Sequence, residues 1–182
     1  MNKYFCRRII SWVIVGFSGV FVGGEAKAGD FIESAGTVLS VGLPAAAGVL
    51  TVTNDDGQGR WQLLESTAMT LGVTYGLKAV VDETRPNGRK HSFPSGHTSV
   101  SFMAADFMRQ RYGWEYGIPA YAMASFVGYS RVEAKQHHVK DVLVGAAIGI
   151  LSSELFTSPY GGLKVSASAQ GGSYGLQLSS CW

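Results

Sequence analysis

Cysteine is nearly absent from this chain. Of the two present, Cys6 sits in the N-terminal segment and Cys181 stands beside the terminal Trp182. Once the N-terminal segment is set aside as a processing signal, the single remaining thiol closes no internal disulfide. Cysteine and histidine nowhere take the spacing of a metal site. Cys6 also lacks the small-residue context of a lipoprotein signal, so no lipid anchor is expected there. Charge is sparse as well. Asp, Glu, Lys and Arg make up 15% of the residues, with a net charge of +2 and no basic block or stripe, which argues against nucleic acid as a partner. No internal repeat and no low-complexity run occurs. At 182 residues the chain is long enough for one domain with a proper core and short for two. Its apolar content of 46% is rich for a soluble protein and lean for a polytopic membrane protein.

The N-terminus reads as a processing segment. Lys3, Arg7 and Arg8 form a basic start, residues 9–22 are apolar, and Ala26-Lys27-Ala28 supplies the small-x-small pattern of a signal peptidase site. Cleavage is expected after Ala28, so residues 1–28 are a signal peptide and the mature chain starts at Gly29. The apolar run is shorter than the ~20 residues of a spanning helix, which favours export over an uncleaved anchor.

Five apolar segments predict helices, over about 35–52, 61–81, 95–111, 117–129 and 139–156. Asn54-Asp55-Asp56-Gly57, Pro86-Asn87-Gly88 and Tyr112-Gly113 punctuate them, and Pro44 is expected to kink or shorten the first. Beyond Pro159 the pattern changes to alternation around Gly171-Gly172, which predicts a short β-hairpin. The expected architecture is all-α: an antiparallel bundle of about five helices over 29–158, followed by a hairpin tail at 159–182. In such a bundle the end of helix two, the start of three, the end of four and the start of five meet at one face. The opposite face receives Asp55, Asp56, Arg60, Arg109, Arg111 and Glu115, expected to be a solvated rim.

The unusual polar residues all fall at the first of these faces. Lys78 and Arg85 bracket the end of helix two, Pro94-Ser95-Gly96-His97 opens helix three, Ser130-Arg131 closes helix four, and His137 and Asp141 share one face at the start of helix five. Three cations converging without a matching carboxylate cluster repel one another, and a bound dianion such as phosphate removes the conflict. The arginine fork suits two phosphate oxygens at once. Ser95 and Gly96 lie where a helix start leaves backbone N–H groups free, and glycine lets an anion approach them. A carboxylate at Asp141 can accept the His137 imidazole N–H and stabilise positive charge on the ring. His97 supplies a second imidazole suited to protonating a leaving oxygen. One nucleophilic histidine, one acidic histidine and an anion cradle describe phosphoryl transfer without a metal. Each residue alone has an ordinary reading: Ser95 as a helix cap, His137 and Asp141 as a stabilising pair, Lys78 as a solvated helix end. The combination is what points to chemistry.

The constellation resembles the type-2 phosphatidic acid phosphatase and vanadium haloperoxidase superfamily. All three of its signatures are present in order: Lys78 with Arg85-Pro86, then Pro94-Ser95-Gly96-His97, then Ser130-Arg131 with His137 and Asp141. The resemblance covers about 61–156. It implies that His137 is the nucleophile, Asp141 its orienting partner and His97 the general acid. Lys78, Arg85, Ser95, Gly96 and Arg131 are implied as phosphate ligands, with no metal and no cofactor. It also implies a lipid phosphate or small phosphate ester as substrate. The same cradle could hold vanadate for peroxidase chemistry, although the chain is small for that branch. A non-catalytic membrane-associated binding protein is a second rival, which the intact histidines speak against. Charges near the helix ends leave uncharged runs of about a dozen residues, roughly 18 Å against a hydrocarbon core of ~30 Å. The expected location is therefore periplasmic, soluble or held at a membrane surface, with the site facing the periplasm. The oligomeric state is left open.

Overall fold

The computed structural model describes residues 28–160 together with the backbone of two further segments, Lys164–Gln170 and Ser173–Ser179. Five helices occur among the described residues: α1 Ala28–Thr53, α2 Gly57–Val80, α3 Gly96–Tyr112, α4 Trp114–Glu133 and α5 Val139–Phe156. The expected signal segment lies outside them, except for Ala28, which opens α1.

Each helix matches an expected segment, and the differences at the ends have local causes. α1 begins seven residues earlier than the apolar pattern indicates, with Asp30 in its first turn, where a carboxylate complements the helix dipole. It continues through Pro44 without ending there. α2 also starts early, because Asp56 caps it: the carboxylate accepts a hydrogen bond from the Gly59 N–H at 2.8 Å. Gly113 alone joins α3 to α4. Its φ of +97° belongs to the region open to glycine, so the chain turns there within one residue.

α3 is the central element and packs against all four other helices, while α1 with α4 and α2 with α5 flank it. The core therefore forms around α3 and includes Leu43, Ala47, Met103, Ala104, Phe107, Ala120, Ala124 and Val127. The remaining inner faces are built largely from small and hydroxyl residues. α2 buries Gly59, Gln62, Ser66, Thr70 and Thr74, and α5 buries Gly145, Gly149, Ser152 and Ser153. Large apolar side chains point outwards instead, among them Val41 and Val52 on α1, Trp61 and Leu64 on α2, Ile118 on α4, and Leu143 and Leu155 on α5. Small residues inside and large apolar ones outside invert the pattern of a water-soluble bundle. Among the described residues one helix, Gly29–Thr53, is long and apolar enough to cross a membrane. The hairpin expected at 159–182 gains no support from this bundle: among the described residues, neither of its segments packs on a helix.

The rim opposite the site is not wholly solvated. Asp56 and Arg111 are 3% and 5% exposed and form a two-pronged pair, with Nη2–Oδ1 at 2.6 Å and Nε–Oδ2 at 2.7 Å. The Tyr112 hydroxyl donates to the same carboxylate, and Arg111 also donates to the Ser158 carbonyl at 2.6 Å. This clasp ties the α1–α2 turn, the end of α3 and the segment after α5 together. Burial alone would raise the Asp56 pKa, but the Arg111, Gly59 and Tyr112 hydrogen bonds outweigh it and hold the pKa below its ordinary value. Asp56→Ala leaves Arg111 buried without its partner, so unfolding measurements at neutral pH should show a loss of about 3–5 kcal/mol. The contribution of Asp56 is present above its unfolded pKa and is lost as pH falls through the depressed folded value. The difference between wild type and variant should therefore shrink in acid.

Candidate active site

The end of α2, the start of α3, the end of α4 and the start of α5 gather at one end of the bundle. Short connections hold them there. The Ser95 N–H donates to the Asp141 carbonyl at 3.0 Å, joining the start of α3 to the start of α5. The Arg131 carbonyl accepts from the Gln136 and His137 N–H groups at 3.0 and 3.2 Å, folding the α4–α5 loop so that His137 lies beside Arg131. Lys78, in the last turn of α2, donates to the His91 carbonyl at 3.0 Å and so fixes the loop that carries Arg85. That loop closes on itself through the Arg85 N–H to the Arg89 carbonyl and the Ser92 N–H to the Glu83 carbonyl.

All eight residues singled out from the sequence fall at this end. Lys78 and Arg85 act electrostatically on both His137 and His97, and Arg131 on His97, so the three cations and two imidazoles share one locality. His97 is exposed, while His137 and Asp141 are buried. The His137 pKa is lowered to about 4, first by burial and then by the Lys78 and Arg85 charges, against which Asp141 pulls upwards. The ring is therefore neutral near pH 7, with its lone pair free. A titration of the His137 ring followed by NMR should have its midpoint near 4. A midpoint at the ordinary value of about 6.5 would mean that the ring is neither buried nor close to the two cations.

The expected hydrogen bond between Asp141 and the His137 imidazole is not closed in this structure. His137 Nδ1 lies 3.6 Å from Asp141 Oδ2, and both Nδ1 and Asp141 Oδ1 are buried without a hydrogen-bond partner. Asp141 Oδ2 is instead occupied by the Ser92 hydroxyl at 2.5 Å and the His138 N–H at 2.9 Å. Ser92 is thus a site residue that the sequence did not single out. Its only signal is its place just ahead of Pro94. The two orphan atoms face a pairing that strengthens when the ring becomes positive, because the attraction then acts between opposite charges in a buried setting.

Ser95 occupies the N-cap position of α3, but its hydroxyl is engaged with Thr98 Oγ1 at 2.9 Å and does not cap the helix. The first N–H groups of α3 therefore remain available to an anion. A Cβ placed on Gly96 meets only Thr74 Cγ2, at 3.7 Å, an ordinary contact. Neither packing nor backbone conformation requires glycine there. Gly96→Ala should accordingly keep its unfolding midpoint close to wild type while weakening inhibition by inorganic phosphate. An unchanged phosphate inhibition constant would contradict the placement of the anion. His138 and His91 stand outside the cluster: His138 faces the Thr84 carbonyl and Glu83, and His91 the Lys78 carbonyl.

Known proteins resemble this chain in sequence and in fold. The sequence matches the PAP2 superfamily over residues 59–160. The lipid A 4'-phosphatase of Helicobacter pylori is 35% identical over 141 residues, which are 71% of this chain and 71% of that protein. The lipid A 1-phosphatase of Porphyromonas gingivalis is 38% identical over 103 residues, 52% of this chain and 23% of that much longer protein. Among solved structures, the crystal structure of Aquifex aeolicus LpxE has a similar fold, with a TM-score of 0.62 at 22% identity over 69% of this chain and 83% of that one. A match spanning all three signatures, on helices that bring them to one end, places this chain in the PAP2 superfamily.

Proposed function

We propose that this PAP2 phosphatase hydrolyses a phosphate monoester on a membrane lipid by two displacements at phosphorus, with His137 as the nucleophile. The observation that carries the reading is a buried imidazole, His137, beside the cations Lys78 and Arg85, with Arg131 and the second imidazole, His97, at the same end of the bundle. The phosphate dianion is held by Lys78, Arg85, Arg131 and the free N–H groups of the first turn of α3, beginning at Gly96, with Ser95 shaping the turn that presents them. His137 Nε2 attacks phosphorus, a P–N bond forms, and the bond from phosphorus to the ester oxygen breaks. Desolvation and the charges of Arg131, Arg85 and Lys78 hold the His97 pKa below its ordinary value. The bound dianion offsets those charges and favours the protonated ring, which gives its proton to the leaving alkoxide, while Asp141 closes on Nδ1–H of His137 as that ring turns positive. Water then attacks phosphorus, His97 takes a proton from it, and the P–N bond breaks to free phosphate and His137.

Lipid is favoured over a soluble ester by two features. The relatives act on lipid A, and the bundle carries its large apolar side chains on the outside. The outer faces suit acyl chains and support a membrane-associated protein where the charges along 61–156 alone allowed a soluble one. Residues 1–28 are read as a signal that delivers the mature chain outside the cytoplasm, with the site on that side.

Phosphate release from a panel of a phosphorylated acyl-glucosamine lipid, phosphatidic acid and an aryl phosphate tests the assignment. The glycolipid phosphate should turn over with the highest kcat/KM. A preference for the aryl phosphate in detergent would overturn the lipid reading, and no release from any of the three would overturn the phosphatase itself.

A further inference from the structure

None of the three signatures reaches α1, yet α1 is built into the site. Gly36 lets its backbone approach the end of α4 so closely that a Cβ there would lie 2.6 Å from Ser130 Cβ and 2.8 Å from Arg131 Nη2. One turn earlier, the Glu33 carbonyl accepts from Arg131 Nη2 at 2.5 Å. The Glu33 carboxylate accepts from Gln136 Nε2 at 3.0 Å, and Gln136 Oε1 in turn accepts from Arg85 Nη1 at 2.9 Å and from Asn87 Nδ2 at 3.1 Å. The orientation of the Gln136 amide follows from its neighbours, since the oxygen faces two donors and the nitrogen faces a carboxylate.

Gln136 holds Arg85 by one terminal nitrogen while Arg85 Nε stays buried without a partner. An amide is suited to this task. It accepts a hydrogen bond and fixes the guanidinium plane without cancelling the charge. A carboxylate in direct contact would compete with the substrate dianion for the same fork. The Glu33 charge lies one residue removed, where it still acts on both Arg131 and His97. It eases the repulsion among the cations without placing a carboxylate in direct contact with the Arg85 guanidinium.

We propose that Glu33 and Gln136 are positioning residues, a relay that sets Arg85 and Arg131 in register for one phosphate dianion. The inference rests on the proposed phosphatase reaction and concerns residues that touch the ligand only through the two arginines.

The test uses the full chain in detergent, with a phosphorylated lipid as substrate and inorganic phosphate as inhibitor, for wild type, Gln136→Ala, Gln136→Glu and Glu33→Gln. Unfolding midpoints are measured in parallel. Gln136→Ala frees Arg85, and its KM and phosphate inhibition constant should both rise about tenfold or more, with kcat much less affected. Gln136→Glu should raise both constants at least as far, because Arg85 is then held but neutralised. Glu33→Gln keeps the backbone carbonyl but replaces the charge-assisted hold on the Gln136 amide by a weaker neutral one, so its KM and phosphate inhibition constant should rise a few-fold, in the same direction as for Gln136→Ala but by less. A merely structural role would lower unfolding midpoints without moving KM or the inhibition constant of the folded protein. Both Gln136 variants within twofold of an active wild type on KM and phosphate inhibition would overturn the relay. A wild type that neither releases phosphate nor is inhibited by it would overturn the phosphatase reading, and the relay with it.

Discussion

Replacing His137 by alanine should lower kcat by at least about four orders of magnitude, with the protein still folded. Loss of a covalent nucleophile removes the reaction path itself, and the residual rate is what the anion cradle achieves with water alone. The side chain is nearly buried and makes no hydrogen bond through Nδ1, so its loss leaves a small cavity and should cost little stability. KM should change far less than kcat, because the cations and the start of α3 hold the dianion without it. Parallel measurement of kcat, KM and unfolding midpoint checks all three statements. A variant retaining a tenth of wild-type kcat would place the nucleophile elsewhere.

Asp141→Asn should have the second largest effect, a loss of about 10³–10⁴ in kcat at nearly unchanged KM. Two features of the carboxylate matter. Its negative charge stabilises the positive ring that forms as His137 attacks, and its position at the buried start of α5 fixes the direction from which Nδ1 is held. Asparagine preserves the volume and can still accept from the Ser92 hydroxyl and the His138 N–H, so the fold is kept and the charge alone is lost. Ser92→Ala, which releases one oxygen of the same carboxylate, should show a smaller loss in the same parameter. A large effect on KM with kcat intact would instead make Asp141 a substrate contact.

The sequence made the helical layout and the eight clustered residues legible for different reasons. The helices show because apolar runs are long and are interrupted by strong breakers such as Pro86-Asn87-Gly88. The site shows because Lys78, Arg85, His97, Arg131, His137 and Asp141 are polar residues placed where four apolar helices end, and a bundle brings such ends together. What the sequence hides is the environment of each side chain. Asp56 and Arg111 look like members of a solvated rim, yet they find each other across fifty-five positions and are buried as a pair. Glu33 and Gln136 carry no pattern, since one precedes the first signature and the other is a spacer within the third. Their place follows only from α1 lying against α4. The inverted distribution of apolar residues was hidden for a similar reason. Charges such as Glu65 interrupt the apolar runs, whereas the folded structure separates an inner face of Ser66, Thr70 and Thr74 from an outer face of Trp61, Leu64 and Met69.

The central claim is the covalent step at His137. Rapid mixing with a lipid substrate carrying labelled phosphate, an alkaline quench and peptide mapping test it directly. The account predicts a transient label, stable to base and labile to acid as a P–N bond is, on the peptide containing His137 and missing from His137→Ala. Turnover without any protein-bound label under conditions where His97→Ala accumulates none either, or label on a different residue, would contradict it.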